Sequence, residues 1–310
     1  MKNIEKNRFV ILAVFILIAI ALGAWSFLTD TPPEINVASN VASIIAGLFI
    51  IPMVYKIAKE ATDSVEAGLF SAALSIAIPL FDWRTVGHLQ HTIAIGLFFL
   101  TLLLFVLLKQ IGDWKKIIVV PLIFAFVHVY SVILIPIFGL YFLFAKLEDK
   151  KPGKNELIFA GISSLFIFLI FVFFTASPAF FAIAQQYIGT HYFTIAAENF
   201  TLVKAFALVG MIPIYIGFLG AYFGLKMKKK IALLTLSTIC VFFVAMAVNV
   251  LAVVLGLPYF TIALAIMGSF AYKELKRGLE ISRLKKFEKQ IAIIVFTLVI
   301  LFGILHWMLI

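Results

Sequence analysis

From Phe9 to Leu28 the chain runs for twenty residues without a charged side chain, and ten further apolar runs follow it. A run of this length suits the hydrocarbon of a bilayer, where a spanning helix needs about 20 apolar residues. The balance of the whole chain points the same way. Of 310 residues, 64% are hydrophobic and 13% charged, whereas a soluble domain is about half apolar and a quarter charged. Too little polar surface is left to enclose so much apolar material in water. Backbone polar groups in hydrocarbon must pair within their own segment, which favours helices. The expected fold is therefore all-α, a polytopic transmembrane bundle forming one domain over 1–310, with no soluble C-terminal domain.

Eleven candidate spans can be read: 9–28, 38–57, 65–81, 90–108, 116–130, 132–145, 156–176, 202–225, 231–255, 258–272 and 290–309. Lys2, Lys6 and Arg8 precede the first, and Ala21-Leu22-Gly23 could pass as a weak cleavage site. The run exceeds a secretory h-region, however, and reads as a retained helix. The stretch 117–144 could be one long helix or two short ones, and Pro136 with the polar group His128, Tyr130 and Ser131 favours a break.

Charge decides between these counts. With eleven spans and a cytoplasmic N-terminus, 23 of the 25 basic residues fall in cytoplasmic loops or adjoining helix ends, leaving Arg84 and Lys204 outside. A single helix over 117–144 would send every cluster from Lys146 onward to the other face, against the tendency of Lys and Arg to stay inside. Trp25, Trp83, Trp114 and Trp307 fall near expected span ends, as interfacial aromatics do. The net charge of +10 is thus explained by inner loops and implies no nucleic-acid partner. The single Cys240 can form no intrachain disulfide. The expected location is multi-pass, in the cell membrane and in contact with its lipid.

Two connections are long: the basic inner segment 273–289 and the outer segment 177–201. Ionisable groups on the outer face gather in three loops, with Asp30 and Glu34 in the first, Asp82, Arg84, His88 and His91 in the second, and His191 and Glu198 in the third. Carboxylates and imidazoles together can bind a divalent cation or move protons. Taken singly, such residues are as readily plain solvated loop positions. Arg84, His88 and His91 stand out because they begin a helix, and polar groups near a membrane are costly to bury. His128 reads as a bond between helices and Asn249 as helix glue. Pro52, Pro79, Pro121, Pro136 and Pro213 read as kinks. No P-loop, HExxH or serine nucleophile elbow is present.

Residues 82–96, Asp-Trp-Arg-Thr-Val-Gly-His-Leu-Gln-His-Thr-Ile-Ala-Ile-Gly, resemble an external-loop segment of the oligosaccharyltransferase catalytic subunit, a GT-C class glycosyltransferase. Arg84, Thr85 and Gly87 match that family's Arg-Ser/Thr pair and glycine, and 50–81 resembles its adjoining helices. Thr194-Ile195-Ala196-Ala197-Glu198 resembles the family's Thr-Ile-x-Glu motif with one extra residue. Gln90 stands where the family has an acidic residue, and His91 follows it. Asp30 or Glu34 stands for the family's first catalytic acid, and Asn249 lies near the position of its peptide-binding arginine. The family's soluble C-terminal domain with a Trp-Trp-Asp motif has no counterpart here, so the resemblance implies a smaller GT-C relative or an inactive one.

What the resemblance implies is a membrane glycosyltransferase that uses a polyprenyl-phosphate-linked sugar at the outer face, its acceptor left open. Glu198, His91 and Asp82 are the expected ligands of a divalent metal, Mn or Mg. Arg84 is expected on the donor phosphate, and Asp30 or Glu34 as base or acceptor positioner. A transporter and a non-catalytic subunit of a membrane complex are the alternatives.

Overall fold

A computed structural model describes residues 11–13, 45–77, 89–176, 209–248, 251 and 253–309. The fold is all-α. Its elements are α1 (Ile50–Thr62), α2 (Val65–Ala77), α3 (Leu89–Ile111), α4 (Val119–Val127), α5 (Leu134–Leu147), α6 (Lys154–Ala176), α7 (Met211–Lys226), α8 (Lys230–Ala247), α9 (Val253–Ile281) and α10 (Glu288–Leu309). Three 3-10 turns, Trp114–Lys116, Val129–Ile133 and Arg283–Phe287, join neighbours. No strand occurs among the described residues. Most of the first expected span, 9–28, lies outside them.

Four stretches, His91–Leu108, Val129–Leu147, Lys154–Phe173 and Lys230–Ala247, are long and apolar enough to cross a membrane. The outer helices of the bundle turn large apolar side chains outward. α6 exposes Leu165, Phe168 and Phe173, and α10 exposes Ile293, Leu298 and Leu305. Water would penalise such faces at roughly 25 cal/mol per Å², whereas lipid accepts them.

The stretch 117–144 is broken in two, at His128 and not at Pro136. His128 is extended (φ −151°, ψ 132°), and its Nδ1 accepts the Tyr130 backbone N–H at 3.2 Å. It is a junction residue rather than one within a helix. Pro136 is the third residue of α5, Pro121 of α4 and Pro213 of α7. In a first turn the missing N–H has no partner to lose, so these prolines start helices instead of kinking them. The interior proline is Pro258, in the second turn of α9. The expected long basic loop 273–289 is also largely helical, because α9 continues unbroken to Ile281.

The basic segments converge on one end of the bundle, held by pairs that cross between connections. Lys229 meets Asp63 at 2.7 Å, Lys228 meets Glu148 at 3.2 Å, Lys230 meets Glu156 at 3.0 Å and Lys276 meets Glu66 at 2.6 Å. Gln110 Nε2 donates to Glu60, and Asn155 Nδ2 donates to the Gly112 carbonyl. Glu156 also accepts from the Tyr141 hydroxyl and the Gly153 amide. Lys273 Nζ donates to the last carbonyl of α1, at Thr62, where a cation suits the helix C-terminus. The connections after α1, α3, α5, α7 and α9 therefore share one end, which requires that 117–147 go out and come back.

α9 is the central element. From Tyr259 to Tyr272 it is buried on every face, as expected for a helix that is apolar all round. α7 meets it through Gly217, Gly220 and Gly224, spacing that lets two backbones approach closely. A Cβ on Gly217 would strike Leu264, and one on Gly220 the backbone at Met267 and Gly268. From α2, the Ser71 hydroxyl donates to the Ala265 carbonyl at 2.6 Å. Phe70 stacks on Tyr272 with ring centres 4.9 Å apart.

Candidate functional site

At the opposite end of α9 and α3 lies a cluster of polar aromatic side chains. His91 occupies the first turn of α3 and is 7% exposed. Its ring lies 5.9 Å from His128, 6.3 Å from Tyr130 and 5.8 Å from Tyr259, centre to centre, meeting both tyrosines edge to face. His128 and Tyr130 are closer still, at 4.6 Å. The break at His128 is what turns these two residues toward α3, since its extended backbone separates α4 from the 3-10 turn that carries Tyr130.

Tyr259 comes from α9, one residue after Pro258. Its ring stacks on Phe242 of α8 at 4.7 Å with 9° between planes, and Phe98 packs edge-on at 5.1 Å. Edge-to-face and offset contacts of this kind add to burial. The Tyr259 hydroxyl is fully buried and has no hydrogen-bond partner among the described residues. A buried hydroxyl without a partner costs about 1–3 kcal/mol, so this rigid aromatic cage ends in a donor with unspent capacity.

Helix geometry gives the height of the cluster above the basic end. His91 and Gln110 on α3 are separated by roughly 28 Å, and Tyr259 and Lys276 on α9 by roughly 26 Å, at 1.5 Å rise per residue. The two polar layers thus stand about one hydrocarbon thickness apart, near 30 Å. Between them Phe98, Phe99, Phe105, Phe138 and Phe159 are buried, together with small hydroxyls such as Ser71 and Thr101 that bond to backbone carbonyls.

Of the six residues expected to form the site, His91 lies within the described residues; Asp30, Glu34, Asp82, Arg84 and Glu198 lie outside them, as do His88, His191, Lys204 and Asn249. Among the described residues no three His, Cys, Asp or Glu side chains converge to hold a metal. The cluster around His91 supplies a second imidazole and two phenols but no carboxylate. A hard cation prefers oxygen, and Mn also takes imidazole; the expected carboxylate ligands, Asp82 and Glu198, lie outside the described residues. Chemically, the described part can donate and accept hydrogen bonds through two buried and two half-buried polar rings.

Sequence reasoning singled out His91, read His128 as a bond between helices and, with Tyr130, as part of a helix break, and passed over Tyr259. The available signal was that all three lie at ends of apolar runs opposite the lysine clusters. No family model matches the chain, and no curated protein matches it by sequence.

Proposed function

We propose that this chain is a multi-pass protein of the cell membrane, its basic end in the cytoplasm, and that its outer end carries a GT-C-like glycosyltransferase site. The observation that carries the reading is the position of His91. This residue belongs to the segment 82–96 that resembles the family. It is itself buried within a cluster of polar rings, on the first turn of α3 and about a hydrocarbon thickness from the basic end. A chain embedded in lipid with polar groups held at its outer edge suits a donor whose tail is lipid and whose head is a sugar phosphate. Among the described residues no charged side chain is buried between the two layers, which supports this reading over transport of an ion along a charged path.

The substrate class is a polyprenyl-phosphate-linked sugar. In the transfer, the bond between the anomeric carbon and the phosphate oxygen breaks and a bond from the acceptor oxygen or nitrogen to that carbon forms. The acceptor proton passes to Asp30 or Glu34, and polyprenyl phosphate leaves. Arg84 grips the phosphate with two parallel N–H···O bonds. Glu198, His91 and Asp82 would hold a divalent cation, Mn or Mg, which would neutralise charge on the departing phosphate.

The test is release of sugar from a short-chain polyprenyl-phosphate sugar by the purified, reconstituted protein, with and without Mn. The expected result is metal-dependent release, with a higher Mn requirement in His91→Gln. No release under any metal condition, together with no binding of the donor, overturns the reading.

A further inference from the structure

The connection between α9 and α10 combines two features that water does not favour together. Ile281 is 79% exposed, Leu284 49% and Phe287 44%. Interleaved with them are Arg283, Lys285 and Lys286, all exposed, which form no ion pair among the described residues. That separates them from Lys228, Lys229, Lys230 and Lys276 at the same end, each of which has an acidic partner. Lys286 instead lies over the Phe287 ring, 5.0 Å from its centre.

Its position in the fold says what faces it. The 3-10 turn Arg283–Phe287 runs directly into α10, whose exposed large apolar side chains begin with Ile293 and Ile294. Ile293 lies six positions beyond Phe287, roughly 9 Å of rise. If α10 lies along lipid, this places the turn at headgroup depth. Unpaired cations there meet lipid phosphates, and the apolar side chains reach the acyl boundary below, as in interfacial amphipathic segments. A neutral membrane satisfies only the apolar half, whereas an anionic leaflet satisfies both.

We propose that the segment Ile281–Phe287 is a docking surface for anionic phospholipid, with Arg283, Lys285 and Lys286 holding the headgroups and Ile281, Leu284 and Phe287 entering the acyl boundary. The inference rests on the chain spanning a membrane and not on the glycosyltransferase site.

The experiment is amide hydrogen exchange on the full chain in nanodiscs of phosphatidylcholine alone or with about 30% phosphatidylglycerol. Exchange across Ile281–Phe287 is expected to slow tenfold or more in the anionic discs, while the segment Lys228–Lys230, whose three lysines each have an acidic partner, changes little. Each basic residue near an anionic surface contributes a factor of about five, so Arg283→Gln/Lys285→Gln/Lys286→Gln removes the difference. Equal exchange in the two discs overturns the proposal, as does slowing that survives the triple substitution or extends uniformly along the chain. Nanodiscs present both faces, so the outcome does not depend on which side of the cell membrane this end occupies.

Discussion

Replacing Gly220 with alanine tests whether α7 and α9 are in backbone contact. The added Cβ would stand 2.5 Å from the Met267 carbonyl carbon, 3.0 Å from the Gly268 nitrogen and closer still to the Met267 oxygen. Ordinary contact begins at 3.4 Å, and the obstacle is backbone, which cannot rotate away. α7 must therefore retreat by roughly 1 Å, a gap that forfeits a quarter to a half of the dispersion energy along the seam. Overpacking of this kind costs about 1–3 kcal/mol, and the upper end applies here. Alanine regains about 0.5–1 kcal/mol of backbone entropy, for a net loss of about 2 kcal/mol. Gly161→Ala is the control, because its Cβ would meet nothing within 4 Å, and it should be neutral or slightly stabilising. Reversible unfolding of both variants by SDS titration in mixed micelles gives the difference, expected near 3 kcal/mol. A Gly220→Ala protein as stable as Gly161→Ala would refute the close approach of the two helices.

Two further outcomes follow from the basic end. In a Cys240→Ala background, a cysteine at Gly153 should resist an impermeant thiol reagent added outside intact cells, whereas cysteines at Pro33 and Gln186 should react; labelling at Gly153 overturns the orientation. Glu156 accepts from Lys230, Tyr141 and the Gly153 amide, so a double-mutant cycle of Glu156→Gln with Lys230→Gln should give a coupling of about 0.5–1.5 kcal/mol. A coupling indistinguishable from zero would mean the contact is an ordinary surface ion pair.

The helical class and the clustering of basic groups were legible because hydrophobicity and lysine placement act over many residues at once. The break in 117–144 followed from charge counting, and its site from local geometry that charge does not encode. Pro136 marks a helix start because its ring fixes φ without forbidding a first turn, so proline in the sequence indicates a boundary without giving its direction. The helical continuation of α9 past Tyr272 was hidden because exposed Lys, Glu and Arg read as loop. These are good helix formers, and contacts to Glu66 and Glu288 support the extension. The α7 glycines were visible as residues but not as a seam, since their partner on α9 lies more than forty positions away. His91 could be singled out from its position at a helix start. Its neighbours His128, Tyr130 and Tyr259 come from other elements, and only the fold brings them together.

Donor binding is the direct test of the proposed function, measured as the affinity of a short-chain polyprenyl-phosphate sugar for the purified protein and two variants. Arg84 is one of two basic residues assigned to the outer face by the charge map, and it lies in the segment that resembles the family. A planar guanidinium makes paired bonds to phosphate that an ammonium cannot copy. Arg84→Lys is expected to retain folding and insertion while weakening binding tenfold or more, about 1.4 kcal/mol, and Lys204→Ala should have a smaller effect. Donor affinity unchanged in Arg84→Lys, in a protein that does bind the donor, would contradict the phosphate role and the glycosyltransferase reading built on it.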